Sequence, residues 1–206
     1  GLVGSHLIPA LEAKGHEIFR LVRKPPKNES EIQWDAEKGF SETQQAKLEG
    51  FDAVVHLAGD NVASENWSAE KKRRIRESRE IGTRVLVDAL RKTQNPPKTL
   101  VSASAVGFYG NRKDEVLTED SPKGEGFFPE VCDAWEREAR RGEEFGVRVV
   151  NPRIGVVLAK EDGALAKMLT PFKLGVGGVV GSGEQYMSWI ALEDLIRIIV
   201  FALENE

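Results

Sequence analysis

Two glycines stand near the start of the chain, in Gly1-Leu-Val-Gly4-Ser-His-Leu-Ile. Their spacing suits the second half of a glycine-rich strand-to-helix turn. A glycine in the Gly1 position lets backbone approach a phosphate, and one in the Gly4 position lets the helix pack close to its sheet. The helix start offers free N–H groups and a positive dipole end to an anion. Taken alone, the two glycines are equally an ordinary helix start. What gives them meaning is the spacing of other reactive residues behind them. Arg23 follows a strand-like segment over 17–22, His56-Leu57-Ala58-Gly59 ends a second, and Ser104 ends a third, with Tyr109 close behind.

Those segments need elements to carry them. Residues 5–14 are amphipathic and stop at Gly15, which predicts a helix. Strands are expected over 17–22, through Ile32 and Trp34, over 51–58 and over 98–104. A long helix is expected from about Ser68 to Lys92, with a second over 131–145. A strand over 146–152, a short helix over 163–169, an irregular glycine-rich stretch over 175–183, a strand over 187–190 and a helix from Leu192 complete the order. Strands alternating with helices imply a parallel sheet covered on both faces, an α/β chain of the doubly wound Rossmann type. Ligands of such sheets bind beyond the strand C-termini. Gly1, Arg23, Ala58 and Ser104 all fall there.

The local chemistry then selects a ligand. About 20 residues after the glycines, dinucleotide folds place a carboxylate on the ribose 2′-hydroxyl. Here the run ends Leu21-Val22-Arg23-Lys24, without one. A guanidinium can pair bidentately with a 2′-phosphate, so NADP is favoured over NAD; the alternative for Arg23 is an exposed turn residue. Small residues at Leu57-Ala58-Gly59 leave room for a flat adenosine. His56 sits inside its strand and reads as a packed, hydrogen-bonded histidine. His6 and His16 lack carboxylate or cysteine partners at ligand spacing, so no metal site is expected.

Composition narrows the classes. The 206 residues are 40% hydrophobic and 30% charged, with a net charge of −4. That is a globular balance and argues against nucleic acid. The basic run Lys71-Lys-Arg-Arg-Ile-Arg76 interleaves with glutamates, as on a solvated helix face. One cysteine, Cys132, cannot form an internal disulfide, which suggests a reducing, cytoplasmic setting. No apolar run approaches ~18 residues, so no membrane helix is expected.

The motifs Gly-Leu-Val-Gly, His-Leu-Ala-Gly, Ser-Ala-Ser-Ala-Val-Gly-Phe-Tyr-Gly and Gly-Ser-Gly-Glu-Gln-Tyr-Met-Ser-Trp-Ile-Ala-Leu-Glu-Asp-Leu resemble those of extended short-chain dehydrogenase/reductases. The chain is most similar to the NAD(P)-dependent epimerase/dehydratase relatives, in an atypical subgroup labelled sugar-nucleotide epimerases. The resemblance covers the whole chain. It implies cofactor contacts at Gly1, Gly4, Arg23, Leu57, Ala58, Gly59, Arg79 and Ile154. For Arg79 a surface ion pair with a glutamate is the alternative. It implies residues 1–160 as an NADP-binding Rossmann unit short of its first strand. Residues 161–206 would be part of a substrate region plus a returning helix that continues past the chain.

The family's catalytic Ser/Thr matches Ser104. Its Tyr-x-x-x-Lys pair does not recur: Phe128 and Cys132 stand there. Tyr109 becomes the candidate acid, with a packed or substrate-stacking tyrosine as the alternative. Met187 replaces an arginine that often binds a diphosphate, which points to a smaller or less charged substrate near Gln185 and Trp189. Two functions follow. One is an NADP(H)-dependent oxidoreductase or epimerase acting on a small carbonyl or hydroxyl compound. The other is a non-catalytic NADP(H)-binding sensor or scaffold. The oligomeric state stays open.

Overall fold

The computed structural model describes residues 1–179 and 181–205. Val180, within the stretch expected to be irregular, and the terminal Glu206 lie outside them. Helix α1 (Leu2–Glu12) leads to strand β1 (Arg20–Val22), then β2 (Glu31–Gln33), a short helix α2 (Glu42–Gln45) and β3 (Ala53–His56). Helix α3 (Ala69–Arg91) is followed by β4 (Thr99–Ser102), β5 (Ser104–Ala105) and a 3₁₀ turn over Val106–Tyr109. Then come α4 (Phe127–Arg140), β6 (Arg148–Val150), β7 (Arg153–Ile154), β8 (Val156–Leu158), α5 (Gly163–Lys173), β9 (Trp189–Ala191) and α6 (Leu192–Glu204).

Every strand pair is parallel: β1 with β2, β3–β4–β6, β5 with β7, and β8 with β9. The register sets two layers. Val54, Leu100 and Val149 lie abreast, as do Val55, Val101 and Val150. Side chains alternate across a strand. The first row packs with Val87 of α3 and Ala139 of α4. The second packs with Leu7 and Leu11 of α1 and with Leu192, Leu195, Ile196 and Ile199 of α6. Helices therefore cover both faces, the doubly wound arrangement expected.

Three boundaries differ from the sequence reading for physical reasons. The strand expected over 17–22 starts at Arg20, whose N–H donates to the Ser30 carbonyl at 2.8 Å, because β2 offers no partner earlier. The strand expected over 146–152 is interrupted at Pro152, which has no N–H for the ladder. Helix α4 starts at Phe127, right after Gly126 at φ +104°, and its last expected turns are 3₁₀. In α3 the Ser68 hydroxyl caps the start by accepting from the Lys71 N–H at 3.0 Å. At Gly82 the helix packs against Trp34 and Ala36, the Ala36 Cβ lying 3.6 Å from where a Gly82 Cβ would be, an ordinary contact distance.

Candidate functional site

On the cofactor side, the Gly1 carbonyl accepts from the Ser5 N–H at 2.9 Å and no side chain caps α1. A Cβ at Gly1 or Gly4 would meet no described heavy atom within 4 Å. At Gly4, no described residue makes the close helix-to-sheet approach expected there. Arg23 is exposed beyond the end of β1 and makes no ion pair among the described residues. Leu57 packs on the α1–α6 core, while Ala58 and Gly59 are exposed past β3.

Arg79 lies against that same strand end. Its Nη1 donates to the carbonyls of Asp60 (3.1 Å) and Ile75 (3.2 Å), and its Cζ sits 5.0 Å from the Trp135 ring centroid. It pairs with no glutamate among the described residues. A Cβ at Gly59 would come 3.1 Å from the Arg79 Cζ, so a side chain here would push the guanidinium by a few tenths of an ångström. Burial lowers the guanidinium pKa from its ordinary value.

The expected solvated basic face holds for Arg73, paired with Glu70 and Glu77, but not for Lys71. The Lys71 side chain is fully buried. Its Nζ donates to Asp60 Oδ2 (2.6 Å), the Asn61 carbonyl (2.6 Å) and Ser64 Oγ (2.8 Å). The ammonium holds the Asp60 carboxyl below its ordinary range. The Asp60 N–H donates to Ser78 Oγ at 2.9 Å. The loop beyond β3 is thus tied to α3 by Lys71, Ser78 and Arg79.

The reacting side is built at the end of β4. Ser104 of β5 is buried and its hydroxyl donates to Glu136 Oε1 at 2.6 Å. Glu136, on α4 and only 4% exposed, also receives a two-pronged bond from Arg153, Nε to Oε1 at 2.8 Å and Nη2 to Oε2 at 2.9 Å. The Arg153 Nη1 donates to Tyr109 Oη at 2.8 Å and to the Glu119 carbonyl at 3.1 Å. Its Cζ lies 3.5 Å from the Phe108 ring centroid. The Glu136 carboxylate raises the guanidinium pKa above its ordinary value. The two residues read as catalytic candidates, Ser104 and Tyr109, are therefore joined through a Glu136–Arg153 pair that the sequence reading did not single out. A signal existed: Glu136 lies on the same helix face as Cys132 and Ala139, where a carboxylate must have a partner to be buried.

Cys132 is buried beside Phe108 and Tyr109. Burial, aided by Glu136, pushes its thiol up to about 11, so it is protonated and unreactive near neutrality. Ile154, paired with Ala105, packs on the α1–α6 core. Trp189 opens β9 opposite Val156, 62% exposed. Gln185 Oε1 accepts from Ser182 Oγ at 3.3 Å on the loop before it. The two share one segment, the loop into β9 and the first residue of that strand. Gly155 fixes that segment's position, since a Cβ there would come 2.8 Å from the Ser188 carbonyl oxygen.

His56 is the packed histidine expected, its Nε2 3.0 Å from Thr83 Oγ1 and its ring edge-on to Trp34. Burial lowers its pKa from 6.5 to about 4. Between these values the unfolded chain takes up a proton that the folded chain refuses, so stability falls with falling pH across that window. The loss levels off below pH 4 at roughly 3 kcal/mol. Urea unfolding at pH 7 and pH 4 should show a smaller pH effect in His56→Gln than in the wild type. An equal effect in both would place the titration elsewhere.

A parallel, doubly covered sheet with Arg23, Gly59 and Ser104 past the ends of its strands defines a Rossmann-type protein of the extended short-chain dehydrogenase/reductase class. The chain belongs to the NAD dependent epimerase/dehydratase family, whose model matches residues 1–206. It is 44% identical over 203 residues to an epimerase family protein of Mycobacterium bovis, covering 98% of this chain and 66% of that protein. A nucleoside-diphosphate sugar epimerase from Corynebacterium glutamicum superposes with a TM-score of 0.86 at 38% identity, covering 100% of this chain and 42% of that one. Human epimerase family protein SDR39U1 (isoform 2), crystallised with NADPH, also gives 0.86, at 36% identity and 100% and 68% coverage. The chain spans slightly under two thirds of the Mycobacterium relative's length.

Proposed function

We propose that the protein binds NADP(H) and acts as an oxidoreductase or epimerase on a small carbonyl or hydroxyl compound. The observation that carries this reading is the Tyr109 phenol, held by Arg153 and linked through Glu136 to Ser104 past the end of β4. Gly1, Arg23 and the Leu57–Gly59 strand end would hold the dinucleotide, with Ile154 and Arg79 beside it; an exposed Arg23 without an ion pair among the described residues suits a phosphate-bearing ligand. The NADPH bound to the human relative supports the choice of NADP. When bound, the nicotinamide supplies the hydride donor or acceptor.

The chain's own residues handle the proton. The Tyr109 oxygen accepts from Arg153, which leaves its hydrogen to be given to a substrate oxygen. The phenolate that remains faces a guanidinium, a charge-assisted contact. The Ser104 proton is directed to Glu136, so its lone pairs are what it offers a substrate hydroxyl. Gln185 and Trp189 line the substrate side. Met187 brings no charge for a diphosphate, which favours a substrate smaller than a sugar nucleotide. A small-molecule substrate, no nucleic-acid partner and a cytoplasmic setting belong to this reading. Among the described residues no helix is long and apolar enough to cross a membrane.

A second reading, an NADP(H)-binding sensor without turnover, is favoured by Phe128 and Cys132 where the family's Tyr and Lys would stand. Fluorescence titration with NADPH and NADH tests the shared step. Arg23→Ala is expected to weaken NADPH by roughly 10- to 100-fold, as for loss of a charged hydrogen bond, and to leave NADH unchanged. Equal affinities in the wild type would remove the 2′-phosphate argument. Cofactor oxidation across a panel of carbonyl compounds then separates enzyme from sensor.

A further inference from the structure

We propose that Trp67, Phe127 and Phe128, with Lys72 and Arg76, form a recognition site for a substrate with a flat apolar body and an anionic head, such as an aryl-bearing keto or hydroxy acid. The proposal rests on the oxidoreductase reading and names the substrate class for that site.

The three rings form one cluster. Trp67 meets Phe127 at 5.8 Å and Phe128 at 5.2 Å, both edge-on, and the two phenylalanines lie 5.6 Å apart. Singly exposed apolar side chains are ordinary on a folded chain, but a contiguous cluster of rings open to solvent is a surface able to take a ligand. Here Trp67 is 45% exposed and Phe128 39%, and the two rings are in contact. One member of the cluster, Phe128, packs against the turn that carries Tyr109. A Cβ at Gly107 would lie 3.3 Å from the Phe128 Cβ and 3.7 Å from the Cys132 Sγ, and Gly107 is part of the 3₁₀ turn that carries Tyr109. The helix turn where relatives of this class would carry Tyr and Lys thus presents an aromatic wall instead.

Charge completes the site. Lys72 Nζ lies 5.8 Å from the Phe127 centroid and Arg76 Cζ 6.0 Å from it. The two are four apart on α3 and share one face. On the same helix Arg73, Arg74, Arg84 and Arg91 are paired with carboxylates. Among the described residues Lys72 and Arg76 have no ion pair; both cations instead lie over the Phe127 ring. A guanidinium fork and an ammonium beside exposed rings are complementary to a carboxylate attached to an apolar body. Stacking or edge contact with the rings supplies the apolar part of recognition.

The test is calorimetric titration of the NADPH-saturated protein with phenylpyruvate, its methyl ester and pyruvate. The NADPH titration comes first, and its failure would sink the cofactor reading and this one with it. With NADPH bound, phenylpyruvate should bind at least about tenfold tighter than either the ester or pyruvate. The double variant Lys72→Gln/Arg76→Gln should bring phenylpyruvate to the affinity of the ester without altering the ester. Trp67→Ala should weaken acid and ester together. No detectable phenylpyruvate binding, equal binding of the ester or of pyruvate, or an unaltered double variant would overturn this site while leaving the cofactor reading intact.

Discussion

Arg153→Met should destabilise the fold by about 3–5 kcal/mol, the usual cost of stranding a buried carboxylate without its cation. Glu136 is 4% exposed and takes two bonds from Arg153 and one from Ser104. With Arg153 gone, only the Ser104 hydroxyl faces it closely; Arg140 stands off at 3.8 Å and is itself exposed. Equilibrium unfolding in urea reads the loss. A double variant, Arg153→Met with Glu136→Leu, removes both charges and should recover most of it, since a buried ion pair is often replaceable by packed apolar groups. If the single variant loses less than about 1 kcal/mol, the carboxylate has another partner or reaches water. If the double variant is no better than the single, the arginine contributes by packing on Phe108 rather than by charge.

Tyr109→Phe tests the chemistry with little change in structure. The ring keeps its edge-on contact with Phe108, and Arg153 keeps its two bonds to Glu136. Only the phenolic oxygen is lost. Turnover of an identified carbonyl substrate should fall by about 10²- to 10⁴-fold, the contribution of a positioned acid or base. NADPH affinity and the urea midpoint should hardly move. Full turnover in the variant would assign the proton to another donor. A substantial loss of NADPH affinity would mean that Tyr109 contacts the cofactor rather than the substrate. Wild-type protein that binds NADPH and turns over nothing in the panel would favour the sensor reading.

The difference between what the sequence discloses and what it hides follows contact distance. Apolar centres within 51–58 and 98–104 reveal strands because their side chains satisfy a local pattern, and both strands form inside those bounds, at Ala53–His56 and Thr99–Ser102. Arg23 and Ser104 are legible because a strand end is a local event. Glu136 and Arg153 are not. Their partners lie 17, 32 and 44 positions away along the chain, and only the tertiary fold brings them together. Lys71 was hidden for a different reason. It stands in a run of basic residues, and composition cannot tell the one ammonium that turns inward from neighbours that stay in water. The aromatic wall divides likewise: Phe127 and Phe128 are adjacent in sequence, but Trp67 joins them from the other side of β4.

The attachment of the loop beyond β3 to one helix has a bearing on protein design. Lys71, Ser78 and Arg79 are three fasteners on a single beam, all within α3, and each grips Asp60 or its neighbours. The shape of the Ala58–Gly59 strand end is therefore not stored in its own residues. A designer who transplants His-Leu-Ala-Gly into another Rossmann scaffold carries over the letters but leaves the bracket behind. To move the geometry, the graft must include the helix from Ser68 through Arg79. Within this chain, redesign of cofactor preference at the strand end has to treat those three side chains as fixed parts.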